Sequence, residues 1–412
     1  MYFSNLTAAA GRASLIDKRY MLKNSDLVNI AGYIRNREMY KLLIPVIATL
    51  LFGSITFAEE PMKEAKETST LTIDKAIEKL DAFVNKMTEE DVFSGTVLLA
   101  RDGKVLYSAA RGMASKRFNV PNNLQTKLNL GSMNKMFTAT AIMQLVEQKK
   151  ISLTDKLSQF LDETWIPKDI SSKIEIRHLL SHSSGLGSYF TQQFADTSKN
   201  RFRALADYKP LIVNDKLQFE PGTGAAYSNT GMFLLGAVIE GVTSQDYFDY
   251  IRSNIYEPSG MINSGCYEMD QPIPNLAIGY FPSADNATGW KNNLYLHVLK
   301  GGPAGGCFST VEGLLKFATA LTNYKLLSRK NTELLYSPKT ELHGGAYGFG
   351  FTLGGSPDKR IVGHGGGYYG IGSNLDIFLD ANFVSVVLSN YSGGAKTIRT
   401  KIRELIKQIS SE

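Results

Sequence analysis

The chain has 412 residues, 43% of them hydrophobic, and a formal net charge of +6. That length suits one large domain or two ordinary ones, with enough apolar residues for a sizeable core. Residues 1–41 carry seven Lys/Arg against three Asp/Glu and residues 42–58 carry no charge, which leaves a balance of only +2 for the rest. No long basic run remains there, and this argues against nucleic acid as a partner.

The first feature along the chain reads as an export signal. Residues 42–57 form an uncharged, largely apolar run behind Arg35, Arg37 and Lys41, closing on Thr56-Phe57-Ala58 before Glu59 and Glu60. A basic flank, an apolar middle and a small-x-small ending are the parts of a secretory signal peptide. The run is shorter than the ~20 apolar residues of a spanning helix, and Pro45, Gly53 and Ser54 weaken it further. Cleavage after Ala58 is therefore expected in place of a stable membrane anchor, giving a periplasmic or extracellular protein. Met39 stands where such a signal would begin, so residues 1–38 read as an overextended frame or a long basic leader. Residues 1–58 are set apart from a single domain expected over 59–412.

Next, Ile73, Ala76, Ile77, Leu80 and Phe83 recur at helical spacing and predict a helix over 71–87. Strand-like runs at 95–100 and 105–110 flank Arg101-Asp102-Gly103-Lys104, a tight hairpin signal. Helical patterns and loops fill 132–262. Residues 272–293, rich in Pro, Gly, Asn and Ser, predict a long surface loop suited to a cleft wall. Strand character returns at 348–353, 360–363, 373–379 and 383–388, and a last helix is expected over 395–409. Strands at both ends with helices between imply an α/β chain of the α+β type. It would have one antiparallel sheet built from both termini, flanked by helices, with a mostly helical subdomain inserted over roughly 132–300.

Ser132-Met133-Asn134-Lys135 carries the chemistry, at the start of a helical pattern over 136–148. A serine hydroxyl is a weak nucleophile until a base takes its proton. A lysine three residues on shares the helix face and reaches that hydroxyl. The helix N-terminus and desolvation both disfavour its charged form, leaving a neutral amine that can act as the base. Alone the spacing is weak, because Ser356-Pro357-Asp358-Lys359 repeats it. That copy sits among Gly354, Gly355 and Pro357, which predict a turn between strands, so its lysine has no fixed aim.

Other candidates are weaker. His178 and His182 are spaced for a helical metal pair, but no glutamate follows His178 and no third ligand is evident, so structural roles and no metal are expected. Cys266 and Cys307 are the chain's two cysteines. A bridge is open to them in an exported protein, but the expectation is two buried free thiols, since sequence gives no distance. No G-x-S-x-G elbow is present, which argues against an α/β-hydrolase.

Two later segments make the first motif specific. Tyr227-Ser228-Asn229 lies in a Gly-rich stretch before a helical pattern at 232–240, and His364-Gly365-Gly366-Gly367 follows Val362-Gly363. In that order the three motifs resemble the penicillin-recognising serine hydrolases. Within them the chain resembles the class C β-lactamase-related group, which also holds DD-peptidases, D-amino-acid amidases and carboxylesterases. The segments 176–186, 302–310 and 347–351 fit the same group, and the resemblance runs from Leu71 to the C-terminus.

The resemblance implies Ser132 as nucleophile and Lys135 with Tyr227 as general base and acid, without a metal or organic cofactor. Asn229 would bond a substrate carbonyl and a catalytic side chain. His364, Gly365, Gly366 and Gly367 would line the cleft as a strand edge. His364 would orient the Tyr227 hydroxyl or meet a substrate carboxylate, and the N–H groups of Ser132 and Gly367 would hold the oxyanion. The substrate would be a small ester or a peptide, including D-amino-acid peptides of the cell wall. Class C β-lactamases carry lysine-threonine-glycine at the third motif. His364-Gly365-Gly366 departs from that and points away from efficient β-lactam hydrolysis. The alternatives are a true β-lactamase and a non-catalytic peptide-binding protein on the same fold.

Overall fold

The computed structural model describes residues 71–409 except Asn286. The expected signal peptide, its cleavage site and the 1–38 extension lie outside the described residues. Helix α1, Ile73–Glu89, opens on Thr72, whose hydroxyl accepts from the Lys75 N–H. Its buried line is Ala76, Leu80, Val84 and Met87, one notch around from the expected stripe. Strands β1, Gly95–Arg101, and β2, Lys104–Arg111, then form the expected hairpin. Asp102 and Gly103 at its tip have φ of 50° and 73°, the left-handed pair that a two-residue turn needs to match strand twist.

The middle of the chain supplies helices α2, Asn134–Glu147, α3, Asn229–Thr243, and α4, Val311–Thr322. The C-terminal part returns to the sheet through β3, Thr340–Leu342, β4, Gly345–Tyr347, β5, Thr352–Ser356, β6, Lys359–Tyr368, β7, Ile371–Phe378, and β8, Phe383–Ser389. Helix α5, Ala395–Gln408, ends the described chain. The eight strands run in the order β2-β1-β8-β7-β6-β5-β4-β3, with every neighbouring pair antiparallel. β1 and β8 sit side by side, so the sheet is built from both termini.

The central strands β1, β8 and β7 are buried on both faces, and period-2 alternation assigns their side chains. Val97, Leu99, Phe383 and Val387 pack with α1 and α5, while Leu98, Ala100, Val384, Val386 and Leu388 pack with the helical middle. Helix α2 lies inside that second core, with eleven buried residues. It is hydrophobic nearly all round, as a helix without a solvent face must be.

Three expectations need correction. The strand expected over 348–353 is broken, because Gly350 turns to φ 75° where a Cβ would lie 2.4 Å from the Ala139 methyl. The expected 272–293 loop contains a small hairpin, Tyr280–Pro282 with Trp290–Asn292. Cys266 and Cys307 are not free thiols but a disulfide, their Cα atoms 4.2 Å apart. The neighbouring residues Gly265 and Phe308 exchange backbone hydrogen bonds at 3.0 and 2.9 Å, and this pairing brings the cysteines together across 41 residues of sequence.

Candidate active site

Ser132 lies on a single 3₁₀ turn, Gly131–Met133, that feeds into α2. Lys135 occupies the first turn of α2 and is fully buried. Its Nζ is 3.1 Å from Ser132 Oγ, 2.9 Å from Asn229 Oδ1 and 2.5 Å from the Ala304 carbonyl oxygen. Two of these neighbours are carbonyl oxygens, which only accept. A neutral amine has two N–H bonds and one lone pair. Donating to Asn229 and Ala304 leaves its lone pair for the serine hydroxyl. Burial holds the amine well below the ordinary lysine value of 10.5, the direction that favours this neutral arrangement.

Tyr227 lies in an irregular stretch just before α3. Its hydroxyl interacts electrostatically with the Ser132 side chain, and its ring centre is 4.9 Å from Lys135 Nζ. Burial raises the phenol above its ordinary 10.0, and the neighbouring Ser132 hydroxyl offsets this only in part. The resting group is therefore a neutral phenol, not the phenolate a lysine neighbour alone would favour. Asn229 begins α3, and its Nδ2 donates to Ser188 Oγ at 3.1 Å. Of its two expected partners, the catalytic lysine is present.

The strand β6 runs past Ser132. Its partner β5 pairs with it only from Lys359 to Gly363, so His364–Tyr368 are bonded within the sheet by β7 alone. Gly366 presses on the serine turn: a Cβ there would lie 2.0 Å from the Leu130 carbonyl oxygen, so only glycine fits. A Cβ on Gly131 would meet the Gly367 nitrogen at 3.0 Å, which puts that N–H beside the serine turn. Gly365 and Gly367 have room for a Cβ, with nearest atoms at 3.4 and 4.0 Å.

His364 is buried and fully engaged. Its Nδ1 meets the Gly365 carbonyl oxygen at 2.5 Å and its Nε2 meets the Tyr347 hydroxyl at 3.2 Å. The carbonyl accepts from Nδ1–H, and Nε2 accepts from the phenol. Its ring centre is 6.3 Å from that of Tyr227. Both ring nitrogens are taken, so the imidazole neither orients the Tyr227 hydroxyl nor stands free for a substrate carboxylate, contrary to expectation. Burial first, and Lys135 second, push it down to about 3.

The structure thus brings Ser132, Lys135, Tyr227 and Asn229 into one cluster beside the Gly365–Gly367 edge. Ser356 lies apart as the exposed last residue of β5, which also takes in Gly354 and Gly355 where a turn was expected, and its hydroxyl is 2.7 Å from Asp358. Reasoning from sequence missed the Ala304 carbonyl, Ser188 and Tyr347. The 302–310 and 347–351 segments contain two of them, so those segments were the available signal. His178 and His182 hold no metal cluster among the described residues. His178 Nδ1 accepts from the Glu175 N–H at the start of the short helix Ile176–Leu180.

The Beta-lactamase family model matches residues 74–407. This chain belongs to that family. It is 31% identical to penicillin-binding protein 4* of Bacillus subtilis over 326 residues, 76% of this chain and 71% of the relative. A penicillin-binding protein from Bacillus halodurans superposes with a TM-score of 0.72 at 30% identity, covering 78% of this chain and 99% of that one. D-amino acid amidase from Ochrobactrum anthropi SV3 shares the fold, with a TM-score of 0.69 at 22% identity over 81% of this chain and 99% of its own. The chain is a β-lactamase-fold hydrolase related to penicillin-binding proteins.

Proposed function

We propose that this chain is an exported serine hydrolase that cleaves a small ester or a D-amino-acid peptide through an acyl-enzyme on Ser132. The observation that carries this reading is Lys135 Nζ, held by two carbonyl oxygens with Ser132 Oγ at 3.1 Å. Lys135 takes the serine proton as Oγ attacks the substrate carbonyl. The N–H groups of Ser132 and Gly367 stabilise the oxyanion. The neutral Tyr227 phenol protonates the leaving alcohol or amine as the carbonyl–leaving-group bond breaks, and recovers its proton from Lys135. Water then attacks the acyl-enzyme, giving one proton back to Ser132 and releasing the acid.

The missing cation at the third motif favours esters and peptides over β-lactams. His364 is neutral above about pH 3, so it supplies no fixed charge for a β-lactam carboxylate. The disulfide supports export, since such bonds persist in oxidising compartments. No helix among the described residues is long and apolar enough to cross a membrane.

The test is covalent labelling with a fluorophosphonate. The label is expected on Ser132, and Ser132→Ala should lose both label and turnover while keeping its melting temperature. An active Ser132→Ala with an inactive Ser356→Ala would overturn the reading. N-terminal mass spectrometry of protein from its native host should find Glu59 first, and an intact 42–57 segment in membrane fractions would replace export by anchoring.

A further inference from the structure

Tyr227 lies on no helix or strand, yet the proposed chemistry needs its hydroxyl fixed beside Ser132. His182 supplies the fixing contacts on both sides of it. The Ala226 N–H donates to the His182 carbonyl oxygen at 3.0 Å, and the Ser228 N–H donates to His182 Nδ1 at 3.1 Å. The imidazole lies against the tyrosine ring itself, centre to centre 4.4 Å with 35° between planes. Its ring centre is also 4.7 Å from that of Tyr347, the residue that engages His364.

His182 holds this place at a local cost. It is fully buried and has φ 58°, a left-handed conformation uncommon for any residue but glycine. Since Nδ1 accepts from Ser228, the ring proton sits on Nε2, and Nε2 has no partner among the described protein atoms. An unmatched buried N–H and a left-handed backbone persist only where surrounding contacts over-determine them, as happens at functional sites.

We infer that His182 is a positioning residue for Tyr227, clamping the backbone on either side of the phenol and backing its ring so that the hydroxyl stays beside Ser132. The inference rests on the reading of Tyr227 as the acid that protonates the leaving group. Protonating His182 would place a hydrogen on Nδ1 facing the Ser228 N–H, so the clamp requires the neutral ring. Burial lowers this histidine well below its ordinary value, in agreement.

The test is a double-mutant cycle on hydrolysis of p-nitrophenyl butyrate, with His182→Gly, Tyr227→Phe and both together. Glycine keeps the left-handed backbone and removes the ring. A misplaced catalytic group can cost roughly 100-fold, so His182→Gly should lower kcat by about that factor with KM little changed. In the Tyr227→Phe background the same substitution should cost almost nothing more. His182→Asn tolerates the same backbone and brings an amide oxygen toward the Ser228 N–H, so it should recover much of the loss and carry the cycle if the glycine variant does not fold. Losses that multiply in the double variant, or an asparagine variant no better than glycine, would overturn the inference. A fully active Tyr227→Phe would remove the acid role itself, a separate failure that takes this inference with it.

Discussion

Lys135 Nζ stands 3.1 Å from Ser132 Oγ with the Asn229 and Ala304 oxygens on its other sides. A neutral amine that donates to these two oxygens keeps its lone pair for the hydroxyl, and burial favours that form. Its pKa is lowered, so the active form appears as pH rises through a value well below 10.5. We predict that log kcat/KM climbs with unit slope on the acid side and levels off well before that pH. An inflection at the ordinary lysine value would remove Lys135 as base. Lys135→Arg should be inactive at every pH, because a guanidinium stays charged and has no lone pair to offer.

The buried histidines link stability to acid. His364 is pushed down to about 3 and His182 is also lowered, both chiefly by burial. Unfolded, each binds a proton near pH 6.5; folded, each resists it. The sign follows from that difference: their contribution is complete above 6.5 and is lost as pH falls toward the folded values. The melting temperature should drop on acidification from pH 6.5 to 4, and His364→Gln should flatten that slope. An unchanged slope in the variant would show that carboxylates alone set the acid limb.

The catalytic core was legible because its signals are contiguous. Ser132 and Lys135 share one helical turn, and Tyr227 and Asn229 share one three-residue motif, so spacing alone aligns them. What sequence could not show came from chain segments far apart. Ala304 offers a backbone carbonyl, which every residue has, across 169 positions from Lys135. The role of His364 was misjudged because its motif suggests an open cleft wall. The Tyr347 hydroxyl, brought in by the neighbouring edge of the sheet, occupies its Nε2 instead. The fold was largely readable from hydrophobic period; it failed where Gly350 breaks a strand to fit against Ala139 and where a small hairpin forms inside the expected 272–293 loop.

The disulfide was missed for the same reason, and it has a measurable consequence. It closes a loop of 41 residues and anchors Cys307, whose carbonyl accepts from the Leu130 N–H at 2.8 Å, two residues before the nucleophile. Cys266→Ser with Cys307→Ser should lower stability by about 2–4 kcal/mol, read from urea unfolding. The oxidised protein should show no free thiol with Ellman's reagent. Two titratable thiols in the native protein, with no stability change in the double variant, would restore the free-thiol expectation.

Substrate preference follows from what the site lacks. A β-lactam leaves its opened ring attached to the acyl group, so water must reach the ester past it. A simple ester releases its alcohol and clears that path. Around Ser132 the structure offers a neutral imidazole at His364, a neutral phenol at Tyr227 and a lysine, Lys135, whose amine burial biases toward the neutral form. None of these is a standing cation to hold a β-lactam carboxylate in a productive pose. Short-chain p-nitrophenyl esters or D-Ala-D-Ala peptides should therefore be turned over at a kcat/KM at least tenfold above that for nitrocefin, a difference of about 1.4 kcal/mol in transition-state binding. Penicillins should acylate Ser132 and leave slowly, visible as a persistent mass adduct. Nitrocefin turnover equal to that of the best ester or peptide would sink this preference and make the chain a β-lactamase in activity as well as in fold.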